Sequence, residues 1–136
     1  MPGAHTLRIV TFHRARESLQ AAELCLREGL VNSATSRGYY AMFQAAQAAL
    51  QVVHLGRAEW THAALQVAFV TELIRRRKVY PGAFADYLSS GLHARQLADY
   101  HPDGVSRRVA QRSVRRAAAL LSAVEKEVGR ANQSAG

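Results

Sequence analysis

The sequence predicts an all-α fold: an antiparallel four-helix bundle with one additional shorter helix. Three observations carry that expectation. Apolar residues recur at spacings of three and four along five successive stretches, the period that lines one face of a helix. Ala and Leu are abundant while only 9 Gly and 3 Pro occur in 136 residues, a mix that favours helix because Ala and Leu lose little entropy there. The joints between the stretches span a few residues each, which turns consecutive helices back against one another.

The first helix is predicted from about Thr6 to Glu28. Phe12, Ala15, Leu19, Ala22 and Leu26 fall on one face, and Arg14, Arg16, Glu17, Glu23 and Arg27 lie largely off it. Gly29 is placed to stop it, because glycine enters the left-handed region without a Cβ clash. Asn32 or Ser33 is placed to cap the second helix. That helix is apolar almost all round, from Ala34 through Tyr39, Tyr40, Met42 and Phe43 to Val53, so it should be the central, most buried one. Its small residues at 34, 38, 41, 45 and 49 let a neighbour approach closely, and Gly56 should end it.

Thr61 is placed to cap the third helix, which carries Leu65, Ala68, Phe69 and Leu73 and finishes in Arg75-Arg76-Arg77-Lys78. Cations at a helix C-terminus are favoured by the macrodipole, which explains that cluster without any ligand. Pro81 suits the first position of a fourth helix, followed by Phe84, Leu88, Leu92 and Arg95. His101-Pro102-Asp103-Gly104 is a turn signal. Ser106 is placed to cap a fifth helix with the stripe Val109, Ser113, Ala117, Leu120, Leu121, Val124 and Val128.

One domain, residues 1–136, is expected, with polar or frayed tails at 1–5 and 131–136. A single cysteine, Cys25, makes no intramolecular disulfide and no zinc site by itself. No apolar run is long enough to span a bilayer and no secretory signal is visible, so a cytoplasmic location without membrane partners is the expectation. The net charge is +8 and uneven. Residues 1–68 carry six basic against four acidic side chains, and residues 69–136 carry twelve against six. Such a balance fits an anionic partner, although basic surfaces also occur without one.

The segment Ser36-Arg37-Gly38-Tyr39-Tyr40-Ala41-Met42-Phe43-Gln44-Ala45-Ala46-Gln47-Ala48-Ala49-Leu50 resembles the signature helix of HEPN-domain proteins, in particular the short stand-alone prokaryotic ones. Further matches follow in the same order: Ala15 to Leu19, Leu30 to Ala34, Thr61-His62, and Arg95-Gln96-Leu97-Ala98-Asp99-Tyr100. The resemblance implies a helical bundle paired as a homodimer. It implies either the toxin component of a toxin–antitoxin pair, a metal-independent endoribonuclease acting on RNA at a dimer-interface cleft, or a non-catalytic subunit that binds RNA or a nucleotide or serves only as an interaction subunit for its partner. A minimal nucleotidyltransferase is the implied antitoxin and partner. No cofactor is called for.

In that family the catalytic signature is an Arg followed after four to six residues by a His. Arg95 and His101 are the catalytic candidates here. Histidine titrates near neutral pH and suits proton transfer, and an arginine fork suits charge on phosphate. Arg8 with His13 and Arg57 with His62 satisfy the same spacing, so position in the fold singles out Arg95 and His101. The purely structural alternatives are an Arg95–Asp99 pair four residues apart on one helix, and a turn role for His101. Asp99 and Tyr100 join the set as supporting residues or sites of modification. Tyr39 and Tyr40 read as packing residues, and His62 as a helix-start residue. Arg107, Arg108 and Arg112 are candidate RNA contacts. Cations in a first turn oppose the macrodipole by about 0.3–1 kcal/mol each, so folding alone does not ask for them, whereas arginines at a helix N-terminus suit phosphate. No metal-ligand spacing, phosphate-binding Gly loop or nucleophile elbow is present in the sequence.

Overall fold

The computed structural model describes the backbone of residues 4–135 and the side chains of residues 6–133. It contains α1 (Ala4–Arg27), α2 (Val31–Val52), α3 (His62–Ala68), which runs on into a π-helical stretch (Phe69–Arg76), α4 (Ala83–Tyr100) and α5 (Arg107–Ala135). No strand occurs among the described residues. The five predicted segments are therefore all present and in order.

Helix α2 is the hub. It packs against every other element, most extensively against α1, then α5 and α4. Ala34, Gly38, Ala41, Ala45 and Ala49 are all buried on it, together with Tyr39, Met42 and Leu50. The small side chains set the helix separations. A methyl group at Gly91 of α4 would come 2.6 Å from Met42 Cε, so α4 crosses α2 where neither side has room for another carbon. The α5 stripe from Ser113 through Ala117, Leu120, Leu121 and Val124 to Val128 is buried as its period predicts, while Val109, expected on the same stripe, is half-buried. On α1 the inward face also includes Arg8, which is 4% exposed and donates from Nε to Asn132 Oδ1 at 3.3 Å.

Gly29 ends α1 at φ +77, with Gly29 N–H bonded to Leu26 O and Leu30 N–H to Cys25 O, the paired bonds of a Schellman stop. Thr61 caps α3 through Ala64 N–H at 3.1 Å, and Ser106 caps α5 through Val109 N–H at 3.2 Å.

Four local expectations are corrected. Gly56 does not end α2: His54 takes the left-handed position at φ 62, with Leu55 N–H bonded to Leu50 O at 2.9 Å. Neither Asn32 nor Ser33 caps α2, whose N-cap is Leu30 with no side-chain bond, because the Asn32 amide is used elsewhere. Helix α4 starts at Ala83, after a turn in which Phe84 N–H reaches Pro81 O. The regular structure also reaches further than the expected tails. Helix α1 already includes Ala4, and α5 continues through residues 131–135, where the Arg8–Asn132 bond ties its last turns to α1. Residues 1–3 and 136 lie outside the described residues.

Candidate functional site

Arg95 sits in the penultimate turn of α4 with its side chain 16% exposed. Such a charge needs partners, and α2 and α4 provide them. Nη2 donates to Tyr40 Oη at 2.8 Å. Nε lies 2.9 Å from Asp99 Oδ2, one turn further along α4. That contact is an ion pair without hydrogen-bond alignment, since the Nε atom is fully buried with no hydrogen-bond partner. The guanidinium carbon also lies 5.2 Å from the Tyr40 ring centre and 5.8 Å from that of Tyr100. Nη1 donates no hydrogen bond among the described residues. Tyr100 itself is 74% exposed, an uncommon state for so large a ring.

Beside this cluster lies a cleft of 470 Å³ between the start of α2 and the end of α4. Asn32, Ser33, Ser36, Arg37 and Tyr40 line one wall, and Ala98 and Asp99 the other. The loop that leaves α4 is fastened to the same place. Asn32 Oδ1 accepts from Val105 N–H at 2.9 Å. Gly104, at φ +63, is required there twice over, by its left-handed backbone and because any Cβ would run into the Asn32 amide.

That loop carries His101 and delivers α5. His101 takes an extended conformation just beyond Tyr100, and its Nδ1 accepts from Asp103 N–H at 3.2 Å. The residue is exposed and its Nδ1 braces its own turn, which leaves Nε2 without a hydrogen-bond partner among the described residues. No hydrogen bond, ion pair or ring contact joins it to Arg95. Arg107 and Arg108 occupy the first turn of α5 and Arg112 the next, all three exposed and without ion-pair partners among the described residues. By contrast Arg116 is tied down by Asp86 at 3.3 Å and lies 4.9 Å over the Tyr87 ring. The start of α2, the end of α4 and the start of α5 thus share one end of the bundle, bringing the candidate residues into one neighbourhood.

The model of the HEPN domain family matches residues 10–127. The chain belongs to the HEPN family. No curated protein matches it. The match spans Arg95, Asp99, Tyr100, His101 and the first turns of α5, so the candidate residues lie inside the HEPN domain.

The HEPN bundle also brings to Arg95 residues whose spacing alone suggests packing. Adjacent helical residues point about 100° apart, so Tyr39 and Tyr40 cannot share one environment. Tyr39 is fully buried, and its hydroxyl lies 2.7 Å from His62 Nδ1. Tyr40 faces the flank and reaches Arg95. Burial pushes the Tyr39 phenol up to about 12, while the neighbouring Gln66 amide and the Arg95 charge pull it down without cancelling the rise. The phenol stays neutral and shares a hydrogen bond with His62 Nδ1. The His62 ring packs 5.1 Å from Phe43 and 5.4 Å from Tyr39. Burial first, and the Arg95 charge second, hold His62 below its ordinary value of 6.5.

A stability prediction follows with a definite sign. Unfolded His62 titrates at about 6.5 and the folded residue below that, so the unfolded chain takes up the proton first as pH falls. His62 therefore contributes stability above pH 6.5 that declines as the pH drops through that value and levels off once the folded histidine protonates. Urea midpoints at pH 7.5 and pH 5 should differ less for His62→Gln than for the parent. Equal differences in the two proteins would contradict this role.

Proposed function

We propose that this HEPN protein acts on RNA as the toxin component of a toxin–antitoxin pair, cutting it without a metal at a cleft built where two copies meet. The observation that carries the reading is Arg95. A half-buried arginine is anchored by Tyr40 and Asp99 on a polar cleft, with Nη1 unengaged and free arginines on the adjoining helix. The chemistry follows from those groups. The RNA 2′-oxygen attacks the adjacent phosphorus, the bond to the 5′-oxygen breaks, and the products are a 2′,3′-cyclic phosphate and a 5′-hydroxyl. Arg95 stabilises charge on the non-bridging phosphate oxygens. His101 Nε2 moves the proton between the nucleophile and the leaving oxygen. Asp99 and Tyr100 act as supports of Arg95, and a minimal nucleotidyltransferase is the partner that restrains or modifies the toxin.

A second reading has its own support. Arg95 is already paired with Asp99 and makes no contact with His101. Both fit a HEPN subunit that grips RNA or a nucleotide without cutting, in complex with its nucleotidyltransferase.

Both readings require phosphate contacts at the start of α5. Fluorescence anisotropy with a labelled single-stranded RNA tests this. The double variant Arg107→Ala, Arg108→Ala should bind more weakly, and its plot of log affinity against log salt should be shallower by about 1.4, roughly 0.7 per lost contact. An unchanged slope would remove these arginines from the interface.

A further inference from the structure

The cleft beside Arg95 contains a cation that the catalytic reading does not use. Arg37 is exposed on the second turn of α2 and forms no hydrogen bond or ion pair among the described residues. On the same wall Ser33 and Ser36 carry hydroxyls with no partners among the described residues, and Tyr40 accepts from Arg95 while its own proton remains to be given. Four donor side chains therefore converge on one space. The only carboxylate in the lining is Asp99, and Arg95 lies 2.9 Å from it. With that pair neutral, Arg37 leaves the cleft with one net positive charge.

Size narrows the ligand further. A space of 470 Å³ is in the range of small-ligand sites and accepts one nucleotide, not a base-paired helix. Outside it stands Tyr100, 74% exposed, joined to the cleft through Arg95, which touches both Tyr40 and Tyr100. An exposed ring next to a phosphate-sized set of donors is the arrangement that receives an unpaired nucleotide, with the phosphate held by cation and hydroxyls and the base laid on the ring.

We propose that the cleft between the start of α2 and the end of α4 is a phosphate subsite for a single unpaired nucleotide, with Arg37 as its cation, Ser33, Ser36 and Tyr40 as hydroxyl donors, and Tyr100 as the platform for the base. This deepens the RNA reading and rests on it for the source of the nucleotide. The phosphate belongs either to the strand flanking the bond that Arg95 and His101 act on, or to a free mononucleotide.

The test uses the full chain and three probes: AMP, adenosine, and a labelled unpaired RNA hexamer compared with a duplex of the same length. Parent protein should bind AMP but not adenosine, and the hexamer in preference to the duplex. Arg37→Ala should weaken both AMP and hexamer about tenfold, the scale of one charge-assisted contact, with Arg37→Lys recovering part of the loss. Tyr100→Ala should weaken the hexamer more than it weakens AMP's phosphate-dependent advantage over adenosine. Arg37 is exposed and unpaired, so an unchanged melting temperature checks the fold of the variant. If AMP binds through Arg37 and no RNA binds, the subsite stands for a free nucleotide and the RNA reading falls. If RNA binds through Arg95 and Arg37→Ala changes nothing, the RNA reading stands and the subsite is overturned. If neither probe binds the parent, both fall.

Discussion

Arg95→Ala is expected to lose RNA cutting by at least about a hundredfold, because removing one donor aimed at developing phosphate charge costs that much in comparable sites. The same substitution should lower stability by about 1.5–3 kcal/mol, the scale of a hydrogen bond to a charged group. Tyr40 Oη loses the donor at 2.8 Å and Asp99 loses its ion partner. Two effects from one side chain need separating. Arg95→Lys keeps the charge but not the planar fork that reaches Tyr40 and Asp99 together, so it should recover part of the stability and little of the activity. Melting curves alongside cutting rates read the two apart. A folded, fully active Arg95→Ala protein would remove the residue from the chemistry, and an unchanged melting temperature would remove it from the α2–α4 junction.

The largest stability effect is expected at Ala45. It has no exposure and lies midway along the helix that every other element touches. Ala45→Leu adds three carbons where close-packed neighbours leave no room, at a cost of about 1–3 kcal/mol. Ala45→Arg places an unpaired charge in the same position and should cost about 4 kcal/mol or more, enough to unfold a domain of ordinary stability. Urea unfolding of the leucine variant and circular dichroism of the arginine variant measure these losses. An unchanged midpoint for Ala45→Leu would mean that α2 is not the tightly surrounded core helix described.

The helices were legible because their signal is periodic and repeated. The small-residue row from Ala34 to Ala49 and the α5 stripe from Ser113 to Val128 each repeat the same three-to-four spacing, and both are buried as it predicts. Stops were less legible. Gly56 carries the stronger turn propensity, yet His54 takes the left-handed position because the Leu55 to Leu50 bond fixes the stop two residues earlier. The π-helical stretch gave no warning, since Leu65, Phe69 and Leu73, spaced by four, suit either helix type.

At the site, the local pair was readable and the long-range ones were not. Arg95 and Asp99 are four apart on one helix, so their contact follows from helix geometry alone. The Arg95–Tyr40 bond joins residues 55 apart, the Tyr39–His62 bond residues 23 apart, and the Asn32–Val105 bond residues 73 apart. Each depends on how α2 is rotated against its neighbours, which no spacing within one segment encodes. The same rotation decides which of Tyr39 and Tyr40 is buried and places Arg37 on the cleft wall.

Whether Arg95 and His101 cut RNA can be read directly. The direct measurement incubates purified protein with single-stranded RNA in excess chelator and determines the ends of any products, for the parent and for His101→Ala. His101 is exposed and its hydrogen bond among the described residues stays within its own turn, so its replacement should leave the fold intact. Fragments ending in 2′,3′-cyclic phosphate are expected from the parent and none from His101→Ala. Cutting by His101→Ala at the parental rate, or no cutting by a parent that binds the same RNA, would contradict this and make the protein a HEPN binding module instead.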